Sequence, residues 1–223
     1  AEEICSETPE ISQYANAYMK NNNHKDMKFS DKCMTMCLES AELVKVCSNT
    51  FLAMKISFAN NIARICDSVN ANVNEVMDGV GMDRRINRSF LYAGLGFGGG
   101  CFPKDVKGLK KSLEEHGIDS DFVKMVWKVN EEQVEYVIEQ MKKMGIKSGA
   151  KVGMLGLAFK PGTSDVRVSP ACRLGKALAK AGFDVKAVDP QAIEDARKEL
   201  PEEDNLKYVD MVEEVFDGVQ IVV

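Results

Sequence analysis

The chain has 223 residues, a net charge of −5, and is 45% hydrophobic and 28% charged, ordinary values for a globular protein with a sizeable core. No cluster of Lys and Arg is dense enough for a nucleic-acid surface, so no nucleic-acid partner is expected. No apolar run approaches the roughly 18 residues that span a bilayer, and no signal-peptide pattern opens the chain, so no membrane partner is expected either.

The first forty residues are polar and uneven, with NNNHKD interrupting any periodicity and a short helix expected from Ser30 towards Leu38. From Ser40 the pattern changes. ESAELVKVCSNTFLAMKISFANNIARICDSVNA runs without Pro or Gly, and Leu43, Val46, Cys47, Phe51, Met54, Phe58, Ile62 and Ile65 recur at helical spacing. The spacing predicts a helix from Ser40 to about Asn70, roughly 45 Å long at 1.5 Å per residue. Its apolar positions occupy more than one stripe, which predicts a helix–helix partner and a homodimer built on this element.

Asn72 with Glu75 reads as an N-terminal cap opening a short helix through Val80. Next come GMDRRINRSF and the run GLGFGGGCFPKD (Gly94–Asp105). Pro103 suits the first turn of a helix that continues through Val106, Leu109 and Leu113 to Gly117. A further single helix is expected from Phe122 to about Met144. At Ile146 the pattern switches to strands: Lys151–Phe159, then a helix Ala171–Gly182 after KPGTSDVRVSP, a second strand Asp184–Pro190 ending at Asp189, and a third beginning at VQIVV (Val219–Val223). Strand, helix and strand with short loops make a βαβ unit of a parallel sheet. A sheet of three strands that stops inside the third is incomplete, and the expectation is a fragment of a longer protein. The expected fold class is α/β overall: an uncertain segment 1–38, a central all-helical domain 39–145, and a truncated Rossmann-like domain 146–223.

Seven cysteines (Cys5, Cys33, Cys37, Cys47, Cys66, Cys101, Cys172) is an odd count with irregular spacing. Only Cys33 and Cys37 lie close, and His24 and His116 lack metal-ligand spacing, so no metal site is expected. Unpaired thiols of this kind fit a reducing, cytoplasmic compartment.

The glycine run poses the functional question. Gly94, Gly96 and Gly99 match G-x-G-x-x-G literally, but a dinucleotide fingerprint needs a buried strand before it, a helix opening from its last glycines, and an acid about 20 residues on. RRINRSFLYA is no buried strand, and the helix begins only at Pro103. The match is read as accidental. In the other reading, glycines let the backbone pass close to a ligand and deliver Cys101 to a helix N-terminus, where unpaired amides favour a thiolate or an adjacent oxyanion. The alternative is a tight helix corner around a buried thiol.

GFGGGCFPKD, AELVKVCSNTFLAMKISF, GMDRRI and LGLAFKPGTSDVRVSP together resemble the UDP-glucose/GDP-mannose dehydrogenase family, in order and spacing, across roughly residues 40 to 223. MDRRI and CFPKD are similar to the UDP-glucose branch. The resemblance implies NAD-dependent oxidation of a nucleotide-sugar C6 alcohol to the acid, with Cys101 as the nucleophile that holds the intermediate aldehyde as a thiohemiacetal and then a thioester. It implies catalytic roles for Lys45 and Asn49, which share a helix face at i, i+4, and for Asp105, one turn beyond Cys101, in proton transfer. Phe90, Leu91, and the backbone of Phe97 and Gly98 would line the nucleotide sugar. Lys160 would bind substrate, Arg167 would lie near the cofactor, and Arg85 would reach the substrate of the neighbouring subunit. Read from the residues alone, Arg85 and Arg167 fit surface salt bridges, Asp105 fits a helix N-terminal acid, and Lys45 fits a solvated cation. Asn61 follows Asn60 where family members often carry Glu, so neither is nominated. Ser164 stands where an acid is common. GDP-mannose or UDP-N-acetyl-hexosamine oxidation, or a non-catalytic nucleotide-sugar-binding or dimerisation module, are the alternative functions.

Overall fold

The computed structural model describes Met34 and residues 36–223. The start of the helix expected from Ser30, together with Cys5, Cys33 and His24, lies outside the described residues. The chain divides into two units, Ala1–Lys45 and Val46–Val223.

The long apolar run forms α1, Leu38–Val69, with Lys45 in the first unit. In the second unit its inward face is Ala53, Ser57, Ala59, Asn60, Ala63 and Cys66. Small residues let neighbours approach closely. Ala53 packs with Phe97, Val106, Val123 and Val126, and Ala59 packs with Met77 and Leu91. The Ser57 hydroxyl donates to the Val126 carbonyl at 2.8 Å, fastening α1 to a later helix.

Helix α2, Val73–Gly81, opens as expected: the Asn72 side chain accepts from the Asn74 amide at 2.9 Å. Helix α3, Phe102–Glu115, carries Pro103 in its first turn. It stops at Gly117 (φ +68°), and the Ile118 amide returns to the Leu113 carbonyl at 2.9 Å.

The single helix expected from Phe122 to Met144 is two helices, α4 (Asp121–Glu131) and α5 (Gln133–Lys143), separated at Glu132. The reason is packing. Val123 and Val126 of α4 belong to the helical core around α1, whereas Val134, Ile138 and Met141 of α5 belong to the core of the sheet. One rigid helix would have to serve both cores with one stripe. No Pro or Gly marks the break, so the pattern concealed it.

The sheet has four parallel strands rather than three: β1 (Lys151–Leu155), β2 (Asp184–Val188), β3 (Leu206–Tyr208) and β4 (Ile221–Val222), in the order β3-β2-β1-β4. β3 is only three residues long and follows the polar PEEDN, too short for alternation to register. β1 ends four residues earlier than expected because Gly156 turns at φ +95°. Between the strands lie α6 (Pro170–Lys180), α7 (Ile193–Glu199) and a 3₁₀ turn, Val212–Phe216. Val152, Met154, Leu174, Leu178, Phe183, Val185 and Leu206 form the core between α5, α6 and the sheet.

Asp189, immediately after β2, organises the loops at that end of the sheet. One carboxylate oxygen accepts from the amides of Leu157 (2.8 Å) and Ala158 (3.0 Å), the other from Gln191 and Ala192 (both 2.9 Å). Burial pushes its pKa up, but the four amides outweigh burial and hold it below the usual carboxylate range. Tyr208, on β3, donates to the Leu200 carbonyl at 2.6 Å, and burial pushes its phenol up to about 12.

Asp189→Asn keeps one accepting oxygen and strands two amides, one buried and one part-buried, so we expect a loss of about 1–3 kcal/mol in urea unfolding. The depressed pKa means this carboxylate stabilises the fold above its unfolded value near about 3.9, and the contribution disappears as pH falls through the lower folded value. Tyr208 works in the opposite sense. Its contribution is complete below about pH 10 and is lost as pH rises towards 12. Tyr208→Phe therefore flattens the alkaline limb of a melting-temperature profile, and an unchanged limb would refute the assignment.

Candidate active site

Cys101 is the N-cap of α3, with an exposed thiol and no side-chain capping bond. The buried-thiol corner is thus excluded for this residue. The preceding glycines are required by protein neighbours. A Cβ on Gly98 would lie 2.2 Å from the Val168 carbonyl oxygen, and one on Gly99 would lie 2.7 Å from the Phe159 ring. The Gly99 amide donates to the Arg167 carbonyl at 2.9 Å. The loop is therefore pressed against the segment that follows β1. Val168 itself adopts φ +50°, a costly conformation for a β-branched residue, at the point of closest approach.

Behind the thiol, in the first turn of α3, Asp105 is buried. Asn49 Nδ2 donates to its Oδ2, and Lys104 Nζ donates to its Oδ1. The structure therefore brings Asn49, Asp105 and the Cys101 turn together. A buried carboxylate held by an amide and an ammonium is an acceptor kept in a fixed orientation. Lys45 is exposed on α1 within the first unit.

Cys101 opens into a cleft of about 610 Å³ whose lining includes Phe90, the Gly96–Gly98 backbone, Lys160, Asp165 and Arg167. Arg167 is pinned by Asp165. Its backbone amide and Nε reach Oδ1 at 2.9 and 3.0 Å, and Nη2 reaches Oδ2 at 2.6 Å. That fork holds the Asp165 carboxyl down to about 2 and raises the guanidinium, to which the nearby Cys101 adds a smaller effect. The guanidinium lies against the backbone of Gly100, where a Cβ would sit 3.2 Å from its Cζ. Lys160 sits over the Phe159 ring, 5.4 Å from the centroid. The cleft thus has two cations, an apolar aromatic wall and an exposed thiol. That combination suits an anionic ligand with a reactive carbon near Cys101.

Phe90 faces the cleft with φ +66°, whereas Leu91 turns inward, buried in the cluster with Ala59 and Met77. Leu91 does not line the cleft, and its amide and carbonyl are both engaged by Arg88. Arg85 does not line the cleft. It is exposed and forked by Asp83, with Nη2 to Oδ2 at 2.6 Å. The salt-bridge reading of both arginines therefore holds, each to an acid two residues earlier.

Three supporting residues were not singled out from the sequence. Lys55, buried on α1, donates to the carbonyls of Ile86 (2.9 Å) and Asn87 (3.0 Å) and so anchors the segment carrying Arg85. Asn60 accepts from the Gly94 amide at 2.8 Å. Asn130 pairs with the Phe97 backbone. Lys55 and Asn60 stand on the inward face of an apolar helix, a usable signal. Asn130 has none.

Residues 39–132 match the central domain of the UDP-glucose/GDP-mannose dehydrogenase family, and residues 153–223 match that family's UDP binding domain. The chain is 42% identical over 188 residues to a UDP-glucose 6-dehydrogenase of Rickettsia felis, covering 83% of this chain and 42% of the relative. It is 47% identical over 167 residues to UDP-glucose 6-dehydrogenase TuaD of Bacillus subtilis, covering 74% and 36%. Among solved structures, a UDP-glucose dehydrogenase from Pyrobaculum islandicum matches 94% of this chain and 48% of its own, with a TM-score of 0.81 and 36% identity. A UDP-D-MAnNAc dehydrogenase from Pyrococcus horikoshii matches 82% and 41%, with a TM-score of 0.66 and 28% identity. The chain spans less than half the length of each of these relatives. With both domain matches in sequence order and a cysteine loop facing the cleft between them, the chain belongs to the UDP-glucose/GDP-mannose dehydrogenase family.

Proposed function

We propose that this chain is the part of an NAD-dependent nucleotide-sugar 6-dehydrogenase that binds the sugar nucleotide and carries the covalent catalyst, converting UDP-glucose to UDP-glucuronate. The observation that carries the reading is the shared cleft: the Cys101 thiol, the cations Lys160 and Arg167, and a close-packed glycine backbone face one cavity of about 610 Å³. The match to a UDP binding domain and the names of the relatives support uridine as the base. In this reading residues 39–145 form the central helical domain and residues 146–223 the nucleotide-sugar domain.

Oxidising an alcohol to an acid passes through an aldehyde that must not escape. Cys101 Sγ adds to the aldehyde carbon, and the carbonyl electron pair moves to oxygen, giving a thiohemiacetal. Removal of a second hydride gives a thioester, and water displaces the sulfur to yield carboxylate and thiol. When bound, NAD supplies the hydride acceptor for both oxidations. Gly96 and Gly99 are committed to protein contacts, so the literal fingerprint does not serve the cofactor, and Arg167 is the described residue assigned beside it. Lys160 holds the phosphates, with Phe90 and the Phe97–Gly98 backbone along the sugar nucleotide. Asn49 orients Asp105, which accepts the proton of the attacking water, and Lys45 stabilises the oxyanion.

The homodimer rests on α1. Phe51, Phe58 and Ile65 are all exposed at seven-residue intervals, with Val69 beyond them. Such a seam suits a twofold helix pair. Arg85, held outward by Asp83, then crosses to the partner's substrate.

In the full-length protein, Cys101→Ser should reduce uronate formation roughly 10³-fold or more while UDP affinity changes little, because a hydroxyl ionises poorly near neutral pH. Normal uronate production by that variant, followed as NADH absorbance, removes the nucleophile assignment. Phe58→Glu should convert the dimer to a monomer in sedimentation at micromolar concentration, and Arg85→Ala should weaken substrate binding without dissociating it. A parent that sediments as a monomer rules out the seam.

A further inference from the structure

Asn130 occupies the last turn of α4, is 1% exposed, and has a side chain engaged entirely with the backbone of the glycine loop. Its Oδ1 accepts from the Phe97 amide at 2.7 Å, and its Nδ2 donates to the Phe97 carbonyl at 3.1 Å. The carboxamide thus pairs with residue 97 as a neighbouring peptide would in a sheet, on both its donor and its acceptor. The adjacent Gly96 is shaped to this contact. It has φ +101°, and a Cβ there would lie 2.3 Å from Asn130 Oδ1. A separate anchor holds the end of α4: Arg173 of α6 donates to the Glu131 carboxylate at 2.9 Å and to the Glu131 carbonyl at 3.1 Å. Phe97 in turn packs in the core with Val106 of α3, the helix that Cys101 caps.

We propose that Asn130 is a positioning residue that sets the register of the glycine loop and through it fixes the Cys101 thiol and the Phe97–Gly98 backbone at the cleft. The proposal rests on the reading of the cleft as the sugar-nucleotide site only for its effect on ligand binding; its effect on the thiol does not depend on that reading. The alternative is that Asn130 merely fills space. The two differ for Asn130→Asp, which conserves volume and one acceptor but removes the donor and sets a carboxylate against the Phe97 carbonyl. Space filling predicts that Asp is tolerated and Ala is not. Register setting predicts that both fail.

The test attaches a trifluoromethyl label to the thiols and follows the fluorine resonance that Cys101→Ser removes. Hydrogen exchange of the Leu95–Gly100 segment and calorimetric binding of UDP accompany it. In the parent we expect one sharp Cys101 line. In Asn130→Asp and Asn130→Ala that line should shift or split, loop exchange should rise at least about tenfold while β1 and β2 exchange is unchanged, and UDP affinity should fall about tenfold. An Asp variant matching the parent in both line shape and loop exchange overturns the proposal. So does a uniform rise in exchange across the sheet and loop, which would mark Asn130 as a general stability residue. If the parent binds no UDP, the cleft assignment fails, and the fluorine and exchange readouts still decide the role of Asn130.

Discussion

The site depends on a backbone passing closer to its neighbours than any side chain allows. Between Gly96 and Gly100 the chain is flanked by Asn130, the Val168 carbonyl, the Phe159 ring and the Arg167 guanidinium, and a Cβ at any of Gly96, Gly98 or Gly99 would meet one of them at under 3 Å. These contacts come from both the helical part and the segment after β1. The loop is therefore the seam along which the two cores of the second unit meet, and Cys101 projects from its end. Placing a thiol on such a seam has a physical rationale. A thiol on an exposed loop tip moves with the loop, whereas one capping α3 behind a close-packed backbone inherits the rigidity of both cores.

Much of this architecture is legible in the sequence because it obeys local rules. The unbroken run from Ser40, the Asn72 cap, Pro103 in a first turn and the buried run at Val152 each announce their element. What stayed hidden is what two distant segments do to each other. The break at Glu132 follows from α4 and α5 serving different cores, and neither periodicity nor a breaker residue records it. β3 is too short to alternate. The flanks of the literal G-x-G-x-x-G set it apart from a dinucleotide fingerprint, and its glycines at 96 and 99 press against Asn130 and Phe159, packing that no local pattern records. The same distinction separates the site residues. Cys101 and Asp105 sit in a compact motif, whereas Asn130 enters the loop's hydrogen bonding from more than thirty residues away, and Leu91 reads as a ligand neighbour until burial turns its side chain into the core.

The two arginines show that an exposed salt bridge can set an orientation even where it adds little stability. Each lies two residues after an aspartate, in D-R-R and D-V-R, and each is gripped in the same way: backbone amide and Nε to Oδ1, Nη2 to Oδ2. An exposed pair of this kind adds little to stability, since solvent screens it and the side chains lose freedom in forming it. Its effect is on orientation. A guanidinium has a fixed fan of donors, and engaging Nε and Nη2 on one carboxylate directs the remaining edge away from it. For Arg167 that direction includes the cleft and the backbone of Gly100 beside the thiol. Arg85 instead is held out from a loop that Lys55 anchors beneath through two carbonyls. An arginine left to rotate would pay its rotameric entropy on binding an anion, whereas one already held by its own aspartate has lost much of that freedom in the folded state. The salt bridge thus restricts each arginine to one orientation in the folded state, and the acid two residues earlier sets that orientation.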